Sequence, residues 1–161
     1  MVYVMIGVSG SGKTAVGAAL AERLGLPFYD GDAFHPPANV AKMSAGVPLN
    51  DADRDPWLRA LAGKIREWNA TGSAVLACSA LKEKYRQQLR EGGAVTFVFL
   101  EVSRELLVKR LRQRKGHFMP ASLLASQLAT LEVPTDAVRV DGAGSVEAVV
   151  QRVLSALGAQ G

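Results

Sequence analysis

Cysteine is almost missing from this chain: Cys78 is the single one among 161 residues. That excludes a disulfide framework within the chain and a Cys-rich zinc site. Aromatic residues make up only 6%. None is interleaved with the basic cluster from Arg104 to Lys115, so that cluster lacks the base-stacking side chains of a single-strand nucleic-acid surface. Apolar runs stay far below the ~20 residues of a membrane span. Met1 leads straight into a short apolar segment with no basic region before it, so no secretory signal is expected and the cytoplasm is the expected location. Repeats, low-complexity tracts and interdomain linkers are likewise missing.

What remains is an ordinary globular composition, 48% hydrophobic and 21% charged. Its length suits a single domain, one able to remove about two-thirds of its unfolded surface from water. The net charge is +4. Such a mild excess serves solubility or a small anionic substrate as readily as nucleic acid.

Short continuous apolar runs at 2–6, 73–78 and 95–100 read as strands buried on both faces, with shorter strands at 27–30 and 137–140. Between them lie helical patterns. Val16, Ala19, Leu20 and Leu24 share one face of a helix that Gly25 stops. A short helix is expected around 37–44. The next, 54–69, takes Asp53 as its N-cap and Pro56 in its first turn, with Trp57, Leu61, Ile65 and Trp68 as its apolar face. Further helices are expected at 81–91, from a Ser103 cap to about 115, at 121–131 and at 146–157. Strands alternating with helices predict an α/β sandwich around a parallel sheet.

One motif sits at the first strand-to-helix junction. Gly7, Val8, Ser9, Gly10, Ser11, Gly12, Lys13 and Thr14 spell the phosphate-binding P-loop pattern. Glycines let successive backbone N–H groups converge on an anion, and the helix N-terminus adds free donors and a positive dipole end. Lys13 supplies a point charge to the β- and γ-phosphates of ATP, and the Thr14 hydroxyl can ligate Mg²⁺. GTPases, motor ATPases and small-molecule kinases share this loop. The chain is short for a motor, lacks an NKxD guanine-reading motif, and ends its third strand in Cys78-Ser79 where a metal-organising aspartate would stand. A kinase is favoured. Asp30 and Asp32 are the nearest carboxylates. The D-x-D spacing puts both on one side of an extended chain, where one can hold a metal-bound water and the other take a proton from a hydroxyl.

Four segments carry a more specific likeness: GVSGSGKT (7–14), DGDAFHPPANVAKMSAGVPLNDADRDPWL (30–58), CSALKEKYRQQLR (78–90) and FLEVSRELLVKRLRQRKGHFMPASLLASQLATLEVP (99–134). The chain resembles the small P-loop gluconate kinases, the thermoresistant gluconokinase family, from Val4 to about Pro134. It departs in having Thr14 where serine is frequent, Leu128 where an aromatic is common, and Glu101 after the fourth strand. The resemblance implies ATP- and Mg²⁺-dependent phosphorylation of D-gluconate to 6-phospho-D-gluconate, a product that feeds the pentose phosphate or Entner–Doudoroff route. It implies the nucleoside-monophosphate-kinase-like fold, a three-layer sandwich on a five-stranded parallel sheet of order 2-3-1-4-5. It further implies a helical substrate region at about 31–70, a lid at about 112–127, and a homodimer with no nucleic-acid or membrane partner.

A flexible polyol with one carboxylate needs a cation for the acid and polar groups for the hydroxyls. Arg54, Lys82 and Arg86 are expected to face the cleft, Arg being suited to both carboxylate oxygens. Lys42 and His35 are further substrate-binding candidates. Asp32 is assigned to the acceptor hydroxyl, Asp30 to the metal through water. Arg110 and Arg114, four apart on one helical face, are expected to reach the γ-phosphate from the lid, with Leu107 and Leu111 anchoring that helix to the sheet. The helix breaks at Gly116-His117. A kinase of the same fold with another acceptor, or a non-catalytic nucleotide-sensing or nucleic-acid-binding module, stays open on the residues alone.

Overall fold

The computed structural model describes residues 1–113 and 121–160. Five strands form one parallel sheet: β1 (Val2–Ile6), β2 (Phe28–Asp30), β3 (Ala74–Ala77), β4 (Val95–Glu101) and β5 (Val138–Asp141), in the order β2-β3-β1-β4-β5. Registers such as Val4 opposite both Leu76 and Phe97 make β1 the central strand. Seven α-helices accompany the sheet among the described residues: α1 (Lys13–Leu24), α2 (Pro37–Ser44), α3 (Asp51–Thr71), α4 (Glu83–Arg90), α5 (Arg104–Gln113), α6 (Ala121–Thr130) and α7 (Val146–Gln160). No helix among the described residues is long and apolar enough to cross a membrane.

Period-two alternation of the strands splits the core in two. Val2, Val4 and Ile6 of β1, with Leu76, Phe97 and Phe99, pack against Trp57, Leu58, Leu61 and Ile65 of α3 and Leu89 of α4. Met5, Val75, Val98 and Leu100 point the other way, onto Val16 and Leu20 of α1 and Val149, Val150 and Val153 of α7. A third cluster joins Val8 of the phosphate loop to Leu81, Leu107 and Leu124. The leucines of α5 therefore seat that helix on the phosphate loop, where they were expected to reach the sheet. A Cβ built at Gly10 would lie 3.4 Å from Leu107 Cδ2.

Two local expectations change. Helix α3 begins three residues before 54, because Asn50 and Asp53 close a capping box. The Asp53 N–H donates to Asn50 Oδ1 at 2.8 Å, and the Asn50 N–H donates to Asp53 Oδ2 at 3.0 Å. Asn50 is thus the cap, and Pro56 lies inside the helix. The D-x-D segment is also not extended. The chain turns after β2 into a 3₁₀ turn at Gly31–Phe34, and Asp30 caps it by accepting the Asp32 N–H at 3.0 Å. Gly31 is required there because a Cβ would meet Ala77 O at 2.7 Å. Of the departures noted above, Glu101 is held by Arg139 across the β4–β5 edge at 2.7 and 2.8 Å.

Candidate active site

The C-terminal ends of β1, β2 and β3 lie side by side, and the phosphate loop leaves β1 there. This is the crevice where parallel α/β sheets bind ligands. Gly10 (φ 86°) and Gly12 (φ 92°) take left-handed conformations that cost glycine nothing. Gly12 caps α1 with no side-chain partner for the first-turn N–H groups, and no acidic residue lies in that turn. The donors and the positive helix end are left for an anion. The Ser11 hydroxyl is buried beside them and meets no hydrogen-bond partner among the described residues.

A cleft of about 400 Å³ opens in front of this loop. Ser9 and Lys13 of the phosphate loop, Asp32 and His35 after β2, Arg54 and Trp57 of α3, and Ser79 all line it. The segment from Met43 to Leu49 forms one rim, and Ser126, Gln127 and Thr130 of α6 close the other. Buried Cys78 lies within electrostatic range of Lys13, Asp30 and Asp32, its thiol pushed up to about 12 chiefly by burial. It is a small packing residue with no thiolate to offer.

Arg54 is positioned by a chain of side chains. It donates to Tyr85 Oη at 3.1 Å, with its guanidinium 5.2 Å from that ring's centre. Tyr85 in turn donates to Asp51, which also accepts from Lys84. These two hydrogen bonds, Lys84's first, hold the Asp51 carboxyl far below its ordinary value. Burial, with the Asp51 contact adding, pushes the Tyr85 phenol up to about 12, so it stays a donor.

The remaining expected cations are not brought to the cleft. Lys42 holds both carboxylate oxygens of Asp53 at 2.8 Å, and this bond keeps the Asp53 carboxyl below its usual range. Lys82 lies 3.6 Å from Asp51. Arg86 is 1% exposed and spends its guanidinium on the Ala80 carbonyl at 2.8 Å, the Glu132 carbonyl at 2.9 Å and Glu83 at 3.0 Å. Ala80 has a left-handed backbone (φ 40°), a strained state for a residue with a Cβ. Arg86 is the clamp that holds it.

Arg110 sits on the opposite side of the phosphate loop. It donates to Gly10 O at 2.9 Å and Gly142 O at 2.6 Å. It lines a second cavity, of about 300 Å³, with Gln113, Gly142, Gly144, Val146 and Val149. Arg114 and the Gly116-His117 break lie outside the described residues, as does much of the expected lid. Sequence reasoning passed over Gln127, Tyr85 and Asn39. Each acts on a partner distant in sequence or through an unremarkable amide or phenol, so no motif marks it.

A family model described as shikimate kinase matches residues 9–157. Among curated proteins, a gluconokinase of Gluconobacter oxydans is 53% identical over 94% of this chain and 88% of its own length. The chain belongs to the gluconokinase family. It also falls within the broader group that the shikimate kinase model describes. Within the gluconokinase family, the thermoresistant gluconokinase of Escherichia coli is 41% identical, covering 97% of this chain and 93% of that protein. The crystal structure of a gluconokinase from Sinorhizobium meliloti superposes with a TM-score of 0.90 at 47% identity, over 98% of this chain and 91% of that one. The gluconokinase fold therefore extends over nearly all of the chain, and the sheet order agrees with the sequence expectation.

Proposed function

We propose that this protein transfers the γ-phosphoryl group of ATP to the terminal hydroxyl of D-gluconate, giving 6-phospho-D-gluconate and ADP. The supporting observation is a single cleft lined by a phosphate-loop lysine, a carboxylate and an arginine: Lys13, Asp32 and Arg54. Lys13 and the α1 N-terminus stabilise charge on the transferring group. Asp32 receives the proton of the attacking hydroxyl as the new O–P bond forms and the bond to the β-phosphate breaks. Arg54, held by Tyr85, pairs with the substrate carboxylate. Mg²⁺ supplies charge neutralisation on the phosphates. The Thr14 hydroxyl and, through water, Asp30 are the oxygen donors that suit it.

The second cavity takes the adenine, with the Arg110 guanidinium beside it and Val146 and Val149 as apolar wall. The family resemblance supports a lid at about 112–127, with Arg114 as its cation for the γ-phosphate. The family resemblance supports a homodimer, and composition supports a cytoplasmic location without nucleic-acid or membrane partners.

A coupled ADP-release assay across gluconate, other sugar acids, shikimate and nucleoside monophosphates tests the reading. Turnover with gluconate above the other acceptors is expected. Turnover with shikimate or a nucleotide and none with gluconate overturns it.

A further inference from the structure

Asn39 is 2% exposed, and its amide is oriented without ambiguity. Its Nδ2 lies 2.8 Å from the backbone carbonyl of Asp53. A carbonyl only accepts, so the atom facing it is the NH₂ group. The same NH₂ lies 3.1 Å from His35 Nδ1. His35 Nδ1 must then present its lone pair, and the proton of the neutral ring is on Nε2. Charging the ring would set an N–H against an N–H. The ring cannot turn away easily, since it stacks on Trp57 at 4.0 Å between centres, and Trp57 is pinned by donating to Gly31 O at 2.8 Å. Nε2 faces the Asp32 carboxylate, 3.8 Å from Oδ1.

We infer that Asn39 is a positioning residue, which fixes His35 as a neutral Nε2–H donor aimed at the Asp32 side of the cleft. The 3.8 Å separation is longer than a hydrogen bond, but a hydroxyl oxygen beside both groups is within reach of each. That oxygen accepts from His35 and can then give its own proton only toward Asp32. One donor and one acceptor thus set the direction of the O–H bond, which two acceptors would not. The charged groups facing the ring are Asp32, which favours its protonation, and Arg54, which opposes it. Burial, the largest influence, acts with Arg54 against Asp32 and keeps the imidazole below its ordinary value. The kinetic part of this inference rests on Asp32 facing the acceptor hydroxyl. The tautomer does not.

Two-bond ¹H–¹⁵N spectra of the unliganded protein read the tautomer directly. There are two histidines, so His117→Gln assigns the second ring. A bare Nδ1 and a protonated Nε2 are expected at pH 7. A proton on Nδ1, or a charged ring at pH 7, overturns the inference whatever the substrate proves to be. In Asn39→Ala the ring signals are expected to move to the average of two tautomers and kcat to fall about tenfold. An unchanged tautomer in that variant overturns Asn39's role. His35→Gln keeps an N–H near the ε position and is expected to hold kcat within about fivefold of wild type, while His35→Asn, with its amide at the δ position, loses tenfold or more. Equal losses in the pair overturn the donor role, and this comparison holds even should Asn39→Ala fail to fold.

Discussion

Gln127 of α6 grips Ser9 of the phosphate loop at two points. Its Oε1 accepts the Ser9 N–H at 2.8 Å, and its Nε2 donates to Ser9 Oγ at 3.2 Å. The two residues are 118 apart in sequence, and their contact sets α6 against the loop at the mouth of the cleft. Each neutral bond contributes about 1 kcal/mol, so the grip is strong enough to order α6 and weak enough to release. Gln127→Ala is expected to speed amide exchange across 124–130 about tenfold or more in the unliganded protein, leaving α3 unchanged. Exchange at the wild-type rate would show that the grip holds nothing.

Lys13→Ala is expected to abolish useful turnover in a folded protein, and Asp32→Asn to lower kcat roughly 10²-fold with ATP binding retained. Circular dichroism and single-turnover kinetics separate folding from chemistry. If Asp32→Asn alters only the Mg²⁺ dependence, Asp30 and Asp32 exchange roles.

Arg54→Ala removes a charge-assisted contact of about 1.5–3 kcal/mol and should raise the KM for gluconate ten- to a hundredfold. Tyr85→Phe deletes the hydroxyl that accepts from Arg54 and donates to Asp51, and should raise KM severalfold in the same direction. The neutral polyol glucitol is the control. Equal damage for acid and polyol would mean that Arg54 does not read the carboxylate.

Arg110 holds two backbone carbonyls, Gly10 and Gly142, beside the second cavity. Arg110→Ala should therefore weaken ATP binding, measured by calorimetry with a non-hydrolysable analogue, about tenfold or more. A fall in kcat with unchanged nucleotide affinity would return Arg110 to the phosphoryl-transfer role first expected of it.

Arg86→Met leaves the buried Ala80 carbonyl and the partly buried Glu132 carbonyl without this donor. The expected cost is about 3 kcal/mol or more, seen as a lower urea midpoint at unchanged slope. The KM for gluconate should stay within about twofold in whatever fraction folds. A large KM increase at wild-type stability would place Arg86 in the substrate site after all.

The phosphate loop and the strands were legible in the chain because their determinants are local, while the sheet order followed from the family resemblance. Eight consecutive residues build the phosphate cradle, and short continuous apolar runs mark strands buried on both faces. The start of α3 was misread because Asn50 and Asp53 form a reciprocal cap, in which the aspartate looks like the terminus it supports. Which cations line the cleft was legible only in part: Arg54 was expected there and is found there, but the other three were expected with it. Lys42, Arg54, Lys82 and Arg86 all carry one positive charge on segments around the cleft. Three of them are held by Asp53, Asp51, or Glu83 together with the backbone of Ala80 and Glu132. A long side chain goes to whichever acceptor the fold sets nearest, and for Arg86 that includes a carbonyl 46 residues away. The neutral state of His35 was equally hidden, since it depends on the one atom of Asn39 that the Asp53 carbonyl turns toward the ring. The sequence determined that a phosphate and a carboxylate would meet at the end of β1 and β2. Only the packing of α2, α3 and α4 around that point decided which side chains were left to do chemistry there, because pairing in a crowded interior is settled by distance and not by residue type.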